Sequence, residues 1–208
     1  MGVKAWARAA AAGSIAMSLG VTAHADQAQG PSNEAAWVVE QVLATADHRG
    51  RPFAVVDKKD ARLYLFSAQG RLLGTTAVLL GQAGGDQSLP GVGAKHPSQL
   101  LLHERTTPAG RFASEPGVND KGEDIVWFDY DAALAIHRLR PGSSEARRAR
   151  ALASPTATDN RQSLGCVVVP VDFYDSLVKP TLGRQRGVVY VLPEGRSLAA
   201  VFESLSSH

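Results

Sequence analysis

Cys166 is the one cysteine among 208 residues, and it sits in the run Ser163-Leu164-Gly165-Cys166-Val167-Val168-Val169. A lone thiol has no intramolecular disulfide partner. It acts either as a small buried hydrophobe heading the valine run or as a nucleophile, the thiolate being the attacking form. Two neighbours favour the nucleophile. Gly165 lets a substrate come close to the backbone, and upstream His137, in Ala135-Ile136-His137, is a base able to take the thiol proton. The bland alternative for His137 is a satisfied histidine at a strand end. Ser163 either orients substrate or closes the local turn through its hydroxyl. His96 and His103 lack ligand spacing relative to Cys166, so neither a metal nor a cofactor is expected. His48 and His208 fall in segments expected to be solvated.

The N-terminus gives the lone cysteine its context. Lys4 and Arg8 precede an Ala-rich apolar run to about Val21, and Ala23-His24-Ala25 has the small-x-small form of a cleavage site. Residues 1–25 therefore read as a signal peptide, and the mature protein is expected in the periplasm or cell-wall space of a bacterium. The run is too short for a good membrane span, and no other stretch approaches the ~18 apolar residues one needs, so no integral membrane segment is expected. Cleavage removes two of the 22 basic residues and none of the 20 acidic ones. The balanced charge that remains gives no electrostatic reason to expect a nucleic-acid partner. Oligomeric state is not legible.

The elements that must position the two residues are mostly strands. Residues 26–51 read as a leader carrying a short helix from Glu34 to Ala46, broken at Gly50-Arg51-Pro52. Phe53 to Val56 and Arg62 to Phe66, joined by Asp57-Lys58-Lys59-Asp60, read as a hairpin. Leu72 to Leu80 is β-prone and ends at Gly81, where a glycine-rich loop to Gly93 begins. A proline turn at Thr107-Pro108 leads into a short strand, and Ile125 to Tyr130 and Ala133 to His137 follow as strands. Arg138 to Gln162, with six arginines, Pro141, Gly142, Pro155 and a helix-like Ser144 to Leu152, reads as an insertion or lid. Leu164 to Val169 is strand-like, Val171 to Val178 suits a short helix, Gly187 to Leu192 is a last strand, and residues 194–208 form a helical tail. Many short strands with few helices predict a mainly β domain, a sandwich or partly closed barrel.

Four stretches in order, Arg62-Leu63-Tyr64-Leu65-Phe66, Thr107-Pro108-Ala109-Gly110-Arg111-Phe112, Ala135-Ile136-His137 and Ser163-Leu164-Gly165-Cys166-Val167, resemble the L,D-transpeptidase catalytic domain, the YkuD-like family. The resemblance covers residues 52–193, with 138–162 as the insertion. It implies a mostly β scaffold and a cysteine acyltransferase acting on peptidoglycan stem peptides, both donor and acceptor. Cys166 would attack the carbonyl after a meso-diaminopimelate residue and form a thioacyl intermediate. His137 would move the proton, with its other ring nitrogen oriented by the Arg138 carbonyl. Backbone N–H groups around Gly165 and Cys166 would hold the oxyanion. Leu164 stands where the family usually has histidine, and Val168 where it has arginine or asparagine. The interval from 137 to 166 is longer than usual. These departures keep open a catalytically weak wall-binding module of the same fold, and a carboxypeptidase or amidase that uses the same cysteine with water as acceptor.

Arg140, Arg147, Arg148 and Arg161 of the insertion are candidates to hold stem-peptide carboxylates, against the plainer expectation of a solvated charged face. Tyr64, Phe66, Trp127 and Phe128, at strand spacing, are expected in the core rather than as a sugar platform.

Overall fold

The structure is a computed structural model that describes residues 30–205, so the expected signal peptide, the first residues of the leader, and His208 lie outside the described residues. Ten strands form among the described residues: β1 (Phe53–Asp57), β2 (Arg62–Phe66), β3 (Leu72–Ala77), β4 (Leu80–Gly81), β5 (Gly110–Val118), β6 (Asp124–Asp129), β7 (Leu134–Arg138), β8 (Arg161–Ser163), β9 (Val167–Val169) and β10 (Gly187–Val191). Eight of them make one mainly antiparallel sheet in the order β3-β2-β1-β10-β5-β6-β7-β9, and β4 pairs with β8 in a small second sheet. The parallel neighbours in the large sheet are β1 with β10 and β7 with β9. Just beyond β3, Leu79 exchanges two backbone hydrogen bonds with Val168 of β9, at 2.8 and 2.9 Å. That bridge nearly closes the sheet on itself, as the expected partly closed barrel requires.

β5 joins the two halves. Its first part, Gly110 to Ser114, pairs with β10, and its second, Glu115 to Val118, pairs with β6. Pro116 is tolerated because the ladder at that point has a partner on one side only. Strand alternation then sorts the core into two layers. Ala54, Val56, Leu63, Leu65, Val189 and Val191 face inward together with Ile136, Val167 and Val169. Phe53, Val55, Tyr64, Phe66, Val188 and Tyr190 face outward, where the helix α1 (Asn33–Ala44) covers them with Ala35, Val38 and Val42. β1 and β10 therefore read as continuous apolar runs because both faces are buried. Each fully buried aliphatic side chain contributes about 1.5–3 kcal/mol. Ser32 caps α1 by accepting from Ala35 N–H at 3.1 Å.

His48, expected in a solvated segment, is instead buried. The turn that follows α1 folds its ring beside Phe53, with centroids 5.2 Å apart, and Nε2 lies 3.1 Å from the Ala68 carbonyl. The expected long strand from Leu164 shortens to β9, because Ser163 to Cys166 form a tight turn.

The insertion has regular structure. Helix α2 (Glu145–Ala153) leads into a 3-10 turn at Ala157–Asn160. α2 docks through Ala151 and Leu152 on Leu79, Leu139 and Val168, the outward face of the sheet beside β7 and β9. Asn160 Nδ2 donates to the Val78 carbonyl at 2.9 Å and anchors the far end.

A buried lysine ties the long loop before β5 to the body. Lys58 Nζ donates to the Gly85 carbonyl (2.6 Å), Asp86 Oδ1 (2.9 Å) and the Thr107 carbonyl (3.0 Å), which exhausts its three protons. Asp86 in turn accepts backbone N–H bonds from Glu194, Gly195 and Arg196. Burial alone would raise the Asp86 pKa, but these bonds and Lys58 hold it well below the usual carboxylate range.

Candidate active site

β7 and β9 run parallel with Ile136 opposite Val167 and His137 opposite Val168. Cys166 ends the turn that enters β9, and His137 stands near the end of the adjacent strand β7. Both line a cavity of about 490 Å³, together with Trp127, Leu134, Arg140, Arg148, Ser163 and Leu164. The imidazole is buried, and its Nδ1 lies 2.7 Å from the Arg138 carbonyl. With Nδ1–H donating there, Nε2 carries the free lone pair, the tautomer a general base needs.

The turn that presents the thiol is tied at every peptide. Ser163 Oγ donates to the Cys166 carbonyl at 2.6 Å and accepts from Gly165 N–H at 3.1 Å. Of the two open readings for Ser163, this geometry is the turn-closing one. It also engages the Gly165 N–H, one of the two backbone donors expected to hold an oxyanion. Gly165 has φ of +130°, and a Cβ there would lie 2.8 Å from both the Leu134 side chain and the Thr106 carbonyl. Only glycine fits. The Gly165 carbonyl accepts from the Thr107 hydroxyl at 2.8 Å, and the same Oγ1 accepts from Gly81 N–H at 2.9 Å. Thr107 is a positioning residue that sequence reasoning took only as the start of a proline turn. Its partner is a backbone carbonyl, which no residue type announces.

Electrostatics set the resting state. Burial and the nearby charge of Arg140 push His137 down to about 4, against the bond to Arg138, which favours the charged ring. Burial pushes the Cys166 thiol up, opposed by a backbone hydrogen bond with Ala135 and by Arg140 and Arg148. At neutral pH the pair is thiol and imidazole, not a preformed thiolate and imidazolium. The His137 ring rests unprotonated, as a general base would need to.

Of the four candidate arginines, Arg140 and Arg148 line the cavity. Arg147 is exposed outside it, and Arg161 is turned away into an ion pair with Glu194 and a bond to the Lys58 carbonyl. Leu164 is exposed at the cavity mouth. Val168 is fully buried beneath α2, so an apolar residue suits its surroundings. Tyr64, Phe66 and Phe128 are core, whereas Trp127 lines the cavity and stacks on exposed Tyr130 with centroids 5.2 Å apart. His96 and His103 do not line the cavity. Among the described residues there is no cluster of three or more His, Cys, Asp or Glu side chains arranged to hold a metal. No described helix is long and apolar enough to cross a membrane.

Many of the structural neighbours are YkuD-type L,D-transpeptidase catalytic domains. The catalytic domain from the E. faecium L,D-transpeptidase is 16% identical with a TM-score of 0.35, covering 69% of this chain and 98% of that one. An L,D-transpeptidase from Stackebrandtia nassauensis is 14% identical at 0.40, covering 69% and 56%. The helical cell shape determining protein Pgp2 from Campylobacter jejuni is 13% identical at 0.47, covering 70% and 49%. This chain thus spans about half the length of Pgp2. No protein-family model matches the sequence, and no curated protein matches it. Likeness this distant carries no function across, which leaves function to the site.

Proposed function

We propose that the protein is an exported cysteine acyltransferase that works on peptidoglycan stem peptides by L,D-transpeptidation. The observation that carries this reading is that Cys166, from the turn before β9, and His137, from the neighbouring strand β7, line one cavity. Export is supported by the signal-like residues 1–25, and the substrate class by the sequence resemblance.

In the first half-reaction Cys166 Sγ attacks the donor carbonyl while His137 Nε2 takes the thiol proton. The S–C bond forms, and the carbonyl oxygen gains charge against the Cys166 N–H. As the C–N bond breaks, the imidazolium returns its proton to the leaving amine. In the second half an acceptor amine attacks the thioester, gives its proton to His137, and expels Cys166, which is reprotonated. Arg138 contributes its backbone carbonyl, which keeps the ring in register through both halves.

The test is mass spectrometry of the mature protein incubated with purified muropeptides. Wild type should give crosslinked or exchanged products and a transient acyl adduct at Cys166, and Cys166→Ala should give neither. Products that persist in Cys166→Ala would remove the thiol from the reaction.

A further inference from the structure

Arg148 is the unexplained charge in the cavity. It lies on α2 one turn before Ala151, so the packing of Ala151 onto Leu79 and Val168 carries its side chain toward the same side of the helix. Its guanidinium is half-buried, pairs with no carboxylate among the described residues, and has a buried Nε with no hydrogen-bond partner. A buried guanidinium nitrogen left unpaired is costly unless something else arrives to meet it. Arg140 stands beside it, held through Nε by Glu123 Oε2 at 2.8 Å. Glu123 thus partners Arg140 and leaves Arg148 without a carboxylate, and Asp120 is the one acidic residue among the described residues that line the cavity. Two guanidiniums thus overlook a thiol, in a cavity with apolar walls at Leu134, Leu164 and Trp127.

We propose that Arg140 and Arg148 form a carboxylate-binding subsite beside Cys166, which selects acyl donors carrying a free carboxylate close to the attacked carbonyl. A guanidinium fork pairs with a carboxylate through two parallel N–H bonds, and such charge-assisted bonds are about twice as strong as neutral ones. An incoming carboxylate would satisfy the orphaned Nε, or the terminal nitrogens next to it. It would also offset the repulsion between the two cations. The selection is for the acid over its carboxamide, which has the same shape but no charge. This deepens the acyl-transfer reading and rests on it for the identity of the donor. The subsite itself can be tested without any peptide.

Iodoacetate and iodoacetamide alkylate the same thiolate, so the ratio of their rates at Cys166 cancels thiol ionisation and reports anion recruitment. In wild type that ratio should exceed the ratio for free cysteine by about tenfold, the lower end of local focusing by a charged cleft, and should fall as salt rises. Arg148→Gln and Arg140→Gln should each lower it several-fold, and Arg148→Lys should retain most of it. A wild-type ratio equal to that of free cysteine, or one unchanged in both glutamine variants, overturns the subsite. The salt series on wild type keeps the inference falsifiable if either variant fails to fold. A second arm compares turnover of one stem peptide as free acid and as carboxamide. Preference for the acid that is lost in Arg148→Gln supports donor selection, and equal turnover of both forms overturns it. Failure to turn over either form, with the alkylation preference intact, sinks the peptidoglycan reading and leaves the carboxylate subsite standing.

Discussion

The Thr107 hydroxyl donates to the Gly165 carbonyl at 2.8 Å across a separation of 58 residues, and so the loop before β5 holds the turn that carries Cys166. The same oxygen accepts from Gly81 N–H, which ties in the end of β4. Thr107→Val keeps the shape and removes both bonds, leaving a buried carbonyl and a buried N–H without that partner. The expected cost is about 1–3 kcal/mol, the desolvation penalty of such orphans. Thr107→Ser keeps the hydroxyl and should stay near wild type. Denaturant midpoints measure the first effect. Alkylation at Cys166 under native conditions measures the second, since a loosened turn should change the labelling rate in the valine variant and not in the serine variant. Equal behaviour of the two variants would show that the hydroxyl does not hold the turn.

Much of this arrangement was readable before the fold, and the limits have physical reasons. The hairpin of β1 and β2 announced itself because two apolar runs flank the polar turn at Asp57 to Asp60, whose Asp57 carboxylate accepts from Lys59 and Asp60 N–H. α2 was legible from its Ala and Arg content after Ser144. What it packs against was not, because docking depends on Val168 and Leu79, each remote in sequence. The same is true of the arginines: helix phase decides that Arg148 faces the cavity and Arg147 does not, and an ion pair with Glu194 takes Arg161 elsewhere. β8 went unseen because Arg161-Gln162-Ser163 has no alternation, and its partner β4 is supplied by tertiary contact. His48 looks solvated in sequence for a related reason, since Phe53 and the Ala68 carbonyl, which bury it, come from the β1 and β2 hairpin and its flank.

Lys58 should be among the least replaceable residues outside the cavity. Its ammonium is fully buried and burial lowers its pKa, against the bonds to Asp86 and the nearby Glu194. Lys58→Met fills most of the volume but strands Asp86 and the Gly85 and Thr107 carbonyls. Breaking one side of a buried pair costs about 3–5 kcal/mol. The thermal midpoint should fall by several degrees or more, and because the Thr107 carbonyl is one of the three acceptors, labelling of Cys166 should change as well. A stability loss below about 1 kcal/mol would mean that water replaces the ammonium at little cost.

Thiol reactivity distinguishes a neutral resting pair from an ion pair. Burial outweighs the two arginines and the Ala135 hydrogen bond, so the Cys166 pKa lies above the ordinary thiol value. The labelling rate with iodoacetamide should therefore climb with pH throughout the range from 6 to above 8.5, the free-thiol value, with no plateau near neutrality. A flat, fast rate from pH 6 to 8 would instead indicate a thiolate already paired with imidazolium, and would require His137 to be charged in the free protein.

The depressed pKa of His137 also makes stability depend on pH. Its folded value is about 4, against an ordinary histidine near 6.5, because burial and Arg140 disfavour the charged ring. Between these two values the unfolded chain binds the proton and the folded chain does not, so acid favours unfolding there. The contribution of neutral His137 is fully present above pH 6.5 and is lost as pH falls toward 4, by roughly 3 kcal/mol over the whole window. Asp86, whose folded pKa is also depressed, acts below this range, where the ordinary carboxyl titrates. His137→Gln removes the titrating group and keeps a polar side chain of similar reach. Denaturant unfolding at pH 7.5, 5.5 and 4.5 should show wild type losing stability across the series, with His137→Gln losing less by about that amount. Parallel curves for the two proteins would mean that the ring titrates alike in the folded and unfolded chain, so that burial and Arg140 do not hold it down.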